Sequence, residues 1–502
     1  MKMKIWIYSI LVSLGSLLVV LAIVLQLRFP SIMSSQLEKK LIIREDSPTL
    51  ANFISPPIPI YMQFFFFNIT NPKEILEGGK PKLVEIGPYT YLEEREKFDL
   101  NWTETTVEYN DNTTFFFDSE MSGTLTENDM ITTLNPLLIT LASKLDNPAL
   151  PPFLHGIFEM IKVRFDLSPF ITKKVGDLLF NGYREDLLLE LAKYTNDPIH
   201  KTGRFGFFYP KNNTDGGRYG IKTGADGLEN LQLITSWKGK PTLGYWPEDH
   251  CNMINGTTGS QFPQPIVPEK KMYLFSSDLC RSLHLTFEKK YEYGGLELSR
   301  FTLPYEVLAN SEENECFCTD NFTCRASMVN LSPCRNGAPV IASTPHFYMG
   351  DEETVAAVDG LNPTKEYHET YIDLEPNTGV SFAAMKRIQI SMPLRRYKSI
   401  PELANVKEVI IPLLWLNESA QVPIERARGL HAKLTKPLKY VLYVCIALFC
   451  IGVFIIVFFA ILILRTNKKE KKDMKLNAPE LEKAPTDYPK ESDPLRTPDS
   501  TN

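Results

Sequence analysis

Residues 440–464 read YVLYVCIALFCIGVFIIVFFAILIL and carry no charge. A helix needs roughly 20 residues to cross the hydrocarbon core of a bilayer. In hydrocarbon every backbone N–H and C=O has to be bonded inside the segment, so an apolar run of this length is read as a transmembrane helix rather than a buried core helix. Arg465, Lys468, Lys469, Lys471, Lys472 and Lys475 follow it directly, as expected on the cytosolic side of a span.

A second apolar run, residues 5–27, follows Lys2 and Lys4. It is longer than the apolar region of a signal peptide, about 7–15 residues, and it ends in Leu25, Gln26, Leu27 and Arg28 without a small-x-small cleavage site, so we read it as an uncleaved anchor. The chain then divides into a cytosolic stub 1–4, span 5–27, an outer domain 28–439, span 440–464 and a cytosolic tail 465–502. Basic residues alone do not set this orientation, because Arg426, Arg428, Lys433, Lys436 and Lys439 lie on the outer side. Glycosylation acceptors argue for it better: Asn-x-Ser/Thr sequons begin at Asn68, Asn101, Asn112, Asn212, Asn255, Asn321, Asn330 and Asn417, all between the two runs.

Cysteine usage agrees with an oxidising outer compartment. Cys251, Cys280, Cys316, Cys318, Cys324 and Cys334 lie between the runs, while Cys445 and Cys450 lie inside the second. Six cysteines imply disulfides, but they allow 15 pairings that the residues themselves do not rank. A zinc site on Cys316-Phe-Cys318 is disfavoured, since structural zinc sites use C-x2-C pairs and a reducing setting, and no metal or cofactor is expected. The net charge of -6 and pI of about 5.8 argue against a nucleic-acid partner. No Gly/Ser linker, low-complexity tract or internal repeat divides the outer region, so one large domain is expected.

The signals in that domain are mostly those of strands. Residues 53–68 (FISPPIPIYMQFFFFN), 113–117 and 272–276 are aromatic and β-branched. Ile388, Ile390 and Met392 alternate with Arg387, Gln389 and Ser391, the period of a half-buried strand. Turn pairs at Asn255-Gly256, Asp226-Gly227 and Asp359-Gly360 suit hairpins. An antiparallel β architecture is expected.

Residues 150–195 break the pattern with a helical period. Leu154, Phe158, Ile161 and Phe165 form one stripe, and His155, Glu159, Lys162 and Asp166 a second, predicting an amphipathic helix that stops near Pro169. Val175, Leu178 and Leu179, then Leu187, Leu188 and Leu191, predict two more short helices. Lys162, Arg164, Lys173 and Lys174 make this insert a candidate landing site for anionic ligands, with Phe158 and Ile161 as apolar neighbours; a solvated helix face is the alternative. His155 is a candidate pH-sensitive group. There is no G-x-S-x-G, H-E-x-x-H or G-x-x-x-x-G-K motif, so no catalytic residues are assigned and an enzyme is not expected.

Several stretches in one order carry a resemblance: PPIPIYMQFFFFNITNP at 56–72, EIGPYTY at 85–91, LFSSDLCRS at 274–282, CFC at 316–318, DGLNP at 359–363, YIDLEPNTG at 371–379 and PLLWLNES at 412–419. From residue 5 to 464 the chain resembles the class B scavenger receptors, which include a fatty acid translocase, a high-density-lipoprotein receptor, a lysosomal integral membrane protein and insect sensory neuron membrane proteins. The resemblance implies a two-span membrane protein. Its large α+β ectodomain would have an antiparallel β-barrel core, an apical helical bundle at 150–195 and an internal apolar tunnel that passes lipid toward the bilayer. It also implies the disulfides Cys251–Cys316, Cys280–Cys334 and Cys318–Cys324, and a basic apical residue, here Arg164, that contacts acidic lipid.

The implied function is a cell-surface scavenger receptor for fatty acids, phospholipids, sterols, lipoproteins, or apoptotic-cell and microbial surfaces, with possible oligomers. The alternatives are a lysosomal trafficking receptor for a luminal protein and a phagocytic pattern-recognition receptor. The aromatic W-G-Y of the family stands here as Phe180-Asn181-Gly182-Tyr183, with one residue inserted, and the lysosomal member's apical histidine is not matched. The tail, rich in Lys, Glu, Pro and Asp, reads as disordered. It holds no acidic dileucine signal, since Asp493-Pro494-Leu495-Arg496 has a single leucine, which points to the plasma membrane rather than the lysosome.

Overall fold

The computed structural model describes residues 2–47, 49–146, 153–193 and 198–476. By their internal contacts these form two units, the terminal apolar helices up to Ile32 and from Lys436, and the domain Met33–Thr435.

In the first unit the two apolar runs are helical and long and apolar enough to cross a membrane. They lie in helices Lys2–Leu41 and Ile424–Leu476, both longer than the runs themselves. The second continues through the first twelve residues read as disordered tail, because RTNKKEKKDMKL is rich in straight-chain helix formers. The rest of the tail lies outside the described residues. The helices touch at Gly15 and Gly452: a Cβ on Gly15 would stand 2.9 Å from the Gly452 carbonyl oxygen, and one on Gly452 2.7 Å from that of Gly15. Tyr8 and Phe459 meet with ring centroids 5.6 Å apart.

The second unit is built on one 14-stranded antiparallel sheet. Across it the strands run Ile234–Trp237, Tyr219–Lys222, Thr106–Phe117, Leu83–Trp102, Ile60–Ile69, Val409–Gln421, Ser381–Leu394, Tyr371–Leu374, Leu296–Thr302, Arg281–Tyr293 and Met272–Ser276, with three short strands off this path. Unpaired edges are a liability in such a sheet. Here the two edge strands are bridged by the backbone of Gly256 and Thr257. Ile234 N–H donates to the Gly256 carbonyl (2.9 Å), Thr257 N–H to that of Tyr273 (3.2 Å), and Phe275 N–H to that of Thr257 (2.9 Å), which nearly closes the sheet into a barrel. Gly256 has φ +86°, and a Cβ there would collide with the Tyr273 carbonyl. The Asn255-Gly256 pair thus serves closure rather than a hairpin. Asp359-Gly360 likewise pairs in parallel with Lys82, and the Arg281–Tyr293/Leu296–Thr302 hairpin turns at Gly294-Gly295.

The four consecutive phenylalanines are explained by burial on both faces of Ile60–Ile69. Phe64 and Phe66 belong to the cluster that includes Tyr89, Tyr91 and Leu414, whereas Phe65 and Phe67 pack in a second with Leu413 and Trp415. Phe65 stacks on Trp415 at 3.9 Å. Residues 387–392 are a strand, as their alternation predicts, but not a half-buried one. Gln389 and Ser391 are fully buried, because Ile341–Ser343 pairs alongside and Gln389 accepts the His346 N–H at 2.7 Å while donating to Ser343 Oγ at 3.1 Å.

The insert is only partly helical. Phe153–Arg164 is the expected amphipathic helix. Phe170–Lys174, with β-branched Ile171 and Thr172, is a strand paired with Met130–Leu134, so Lys173 and Lys174 sit on a strand rather than in a helical bundle. Asp177–Asn181 is a π-helical turn and Asp186–Leu191 an α-helix. A further helix, Pro136–Leu145, starts with Pro136 at its first position and Asn135 capping the Leu138 N–H at 3.2 Å.

Candidate functional site: the barrel cavity and the insert

Alternation along Leu83–Trp102 turns Glu93, Arg95 and Lys97 to one face. Arg95 and Lys97 line a cavity of about 450 Å³ inside the domain. The rest of its wall is largely apolar, with Leu274, Leu283, Leu285, Leu303, Ile372 and Ile388 among the lining residues. This volume falls within the roughly 300–1,000 Å³ of small-molecule sites.

A chain of ion pairs runs along the cavity wall. Arg95 holds Glu93 through Nε (2.5 Å) and Glu418 through Nη2 (2.5 Å). Glu418 also accepts from Lys386 Nζ at 2.9 Å, Lys386 reaches Asp278 at 2.6 Å, and Lys211 lies 3.6 Å from Asp278. Burial alone would raise Glu418, yet Lys386 and Arg95 hold its carboxyl down to about 2. The Lys386 ammonium beside Asp278 likewise keeps that carboxyl well below the usual range. Burial pushes Glu93 upward against Arg95. Sequence reasoning missed this chain, although E-x-R-x-K inside a strand pattern is a signal for it.

At the insert, the candidate cations part company. Lys162 is buried, 6% exposed, and its Nζ is held by Glu402 (2.7 and 2.9 Å) and Glu159 (3.1 Å). Ile161 packs against the cluster outside the barrel. Arg164 is exposed, its guanidinium 5.3 Å over the Phe165 ring, and Met160 and Val163 on the same helix are 67% and 76% exposed. Lys173 Nζ lies 4.5 Å over the Tyr183 ring and 3.9 Å from Glu185, whose carboxyl is raised by burial. Lys174 donates to Asn128 Oδ1 at 3.0 Å. The side chains of Phe158 and His155 lie outside the described residues.

The Phe180-Asn181-Gly182-Tyr183 stretch begins inside the π-helical turn Asp177–Asn181. That turn aims Phe180 at the barrel, where its ring stacks on Phe115 (4.6 Å) and meets Tyr91 (5.0 Å), Phe64 (5.8 Å) and Phe208 (5.8 Å).

The outer cysteines are joined as Cys251–Cys316, Cys280–Cys334 and Cys318–Cys324, the pairs the resemblance implies. His250 stands beside Cys251 and Cys316, but those sulfurs are bonded to each other and offer no thiolate to a metal. Among the sequons, Asn101, Asn212 and Asn321 are exposed, and Asn68, Asn112 and Asn255 half-buried. Asn330 and Asn417 are 7% and 8% exposed, with Nδ2 donating to Thr323 Oγ1 (3.1 Å) and Gln63 Oε1 (3.0 Å).

The chain matches the CD36 family model over residues 13–463. It is similar to lysosome membrane protein 2 of Rattus norvegicus, 37% identical over 80% of this chain and 84% of the relative, and of Homo sapiens, 36% identical over 82% and 85%. It is also similar to scavenger receptor class B member 1 of Bos taurus, 31% identical over 87% of this chain and 86% of the relative. Two apolar terminal helices, a nearly closed antiparallel barrel, three disulfides and these matches lead to one conclusion: the chain belongs to the CD36 family, the membrane receptors also known as class B scavenger receptors.

Proposed function

We propose that the chain is a cell-surface receptor that takes lipids, lipoproteins or other anionic, amphiphilic ligands at its apical insert and passes lipid through the barrel cavity to the membrane. The observation that carries this reading is the apolar cavity of about 450 Å³ inside the barrel. Each methylene buried there contributes about 0.8 kcal/mol, so an acyl chain or ring system supplies the affinity. At the insert, Arg164 offers a cation beside exposed Met160 and Val163, with Lys173 and Lys174 on the neighbouring strand, the combination an anionic amphiphile needs. The spans are proposed at 5–27 and 440–464, with both termini cytosolic.

The test is titration of the full-length protein in nanodiscs with a fluorescent fatty acid and with phosphatidylserine vesicles. Saturable binding is expected, with vesicle binding weakened by Arg164→Glu and fatty-acid binding lost on Ala384→Trp, which fills the cavity. A wild-type protein that binds neither probe removes the reading. A second reading, a lysosomal receptor that carries a luminal protein, is favoured by the higher identity to lysosome membrane protein 2. Steady-state imaging against plasma-membrane and lysosomal markers separates the two.

A further inference from the structure

One buried charge belongs neither to the ion-pair chain nor to the insert. Arg281 opens strand Arg281–Tyr293, opposite Ser276 and directly after Cys280. Phe317 ends the 3-10 turn Glu312–Phe317, between Cys316 and Cys318. The disulfides Cys280–Cys334, Cys251–Cys316 and Cys318–Cys324 anchor both stretches, and the Arg281 guanidinium lies 3.6 Å over the Phe317 ring. Arg281 is 6% exposed, yet among the described residues no carboxylate oxygen lies within 4.0 Å of its nitrogens. Nη2 donates to a neutral acceptor, Asn314 Oδ1, at 3.1 Å, while the buried Nε has no hydrogen-bond partner among those residues. Burial pushes the guanidinium down to about 9, which leaves it charged at neutral pH.

Arg281 lines a second, much smaller pocket of about 20 Å³, with Asn310, Asn314, Phe317, Thr323 and Arg325 in its wall. That is room for about one water-sized particle. No acidic residue lines it. The acids of the neighbouring turns are engaged or face solvent: Asp278 is held by Lys386 and Lys211, Asp320 by Arg395, and Glu306, Glu312, Glu313 and Glu315 are exposed. Arg325, the other cation of the wall, donates to Thr354 Oγ1 at 3.2 Å and likewise has no carboxylate within 4.0 Å among the described residues.

We infer that this pocket is a site for a small monovalent anion of the chloride class, held by Arg281. An arginine stays ionised, and a charge taken out of water needs an opposite charge beside it. The Phe317 ring face and the Asn314 carbonyl offset part of that cost, but neither carries a full charge. A halide supplies the charge and accepts the Nε–H within the space of one particle. Water fits the space but brings no charge. Sulfate, phosphate and a lipid carboxylate bring the charge but need more room. The ion ties the start of the strand to the Glu312–Phe317 turn, so it stabilises the disulfide-bonded end of the domain. What the large cavity holds does not bear on this site.

The experiment uses the full chain in nanodiscs, with chloride and bromide as probes. At fixed ionic strength, chloride in place of gluconate, which is too large for the pocket, is expected to raise the Tm. Above the dissociation constant, each ten-fold rise in chloride lowers the unfolding constant about ten-fold. Bromide should act in the same way. Crystals of the full chain grown in bromide should show an anomalous peak within hydrogen-bonding distance of Arg281 Nε. Arg281→Met, which keeps a side chain on the Phe317 ring and removes the charge, should abolish both the peak and the chloride dependence.

A wild-type Tm equal in chloride and gluconate overturns the inference, as does a map with no bromine signal at Arg281. Neither result requires a variant to fold. A peak that appears only at molar bromide, with a Tm indifferent to chloride, marks an adventitious ion only and also overturns it. So does a chloride dependence that persists unchanged in Arg281→Met, which places the ion elsewhere.

Discussion

The imidazoles of His346 and His368 stack with centroids 4.4 Å apart and planes 22° apart, both buried on the outer face of the barrel wall. Each Nδ1 accepts a backbone N–H, from Asn362 (3.0 Å) and Thr364 (2.9 Å), so the His368 ring cannot be protonated there without breaking a bond. His346 Nε2 meets Glu85 Oε2 at 2.5 Å, and Trp415 Nε1 donates to the same oxygen at 2.8 Å. Burial, with His346 and Arg387 adding to it and Glu85 opposing, pushes His368 down to about 4.

This histidine makes the domain acid-sensitive. The folded pKa lies below the unfolded value of about 6.5, so the folded state binds fewer protons. The stability it contributes is present above about pH 6.5 and is lost as pH falls toward 4, on the order of 2 kcal/mol. Glu85, which burial would raise but which His346 and Trp415 hold low, adds a loss at the acid end of that window. Thermal denaturation from pH 7 to 4 should show the decline. His368→Asn, which keeps an acceptor near Nδ1, should flatten it; an equal slope in the variant would refute this account.

Lys162 and Arg164 separate stability from binding. Lys162→Met removes the ties from helix Phe153–Arg164 to Glu402 and should cost about 1–3 kcal/mol, less than a fully buried pair because both carboxylates can rehydrate. Arg164→Glu should change stability by under about 0.5 kcal/mol. Urea unfolding of the two variants checks the split.

Arg95 carries two carboxylates. Arg95→Met leaves Glu93, whose side chain is 1% exposed, without a counter-ion and should destabilise by about 3–5 kcal/mol. Adding Glu93→Gln should recover part of that loss in chemical denaturation, and no recovery would mean that packing, not charge, is responsible.

Gly256 holds the barrel shut. Gly256→Val has to adopt φ +86° and push the Tyr273 carbonyl away, so a loss of about 3 kcal/mol or more is expected. The readout is the yield of folded, protease-resistant protein, which a tolerant closure would leave at the wild-type level.

Glycan occupancy should follow exposure. Glycopeptide mass spectrometry of protein made in animal cells is expected to find Asn101, Asn212 and Asn321 occupied and Asn330 and Asn417 bare. Glycans on the last two would show that strands Met328–Asn330 and Val409–Gln421 are not packed as described here.

What the residues disclose unaided is what depends on near neighbours. The uncharged runs, the stripe that makes Phe153–Arg164 a helix and the β-branched and aromatic strands all follow from run length, period and composition, which act within a few residues of chain. The cysteine pairing was reached through the family resemblance, because six thiols alone leave 15 choices. Only the tertiary structure decides that Lys162 turns inward, that Asn330 and Asn417 are covered, that Gly256 bridges two edges and that Arg281 is buried against the Phe317 ring. Arg95 and Glu418 stand 323 residues apart in sequence, and no local rule joins them. Closing the barrel brings such groups together and strips their water, and it is that shared desolvation, absent from any short stretch of chain, that turns scattered charges into a site.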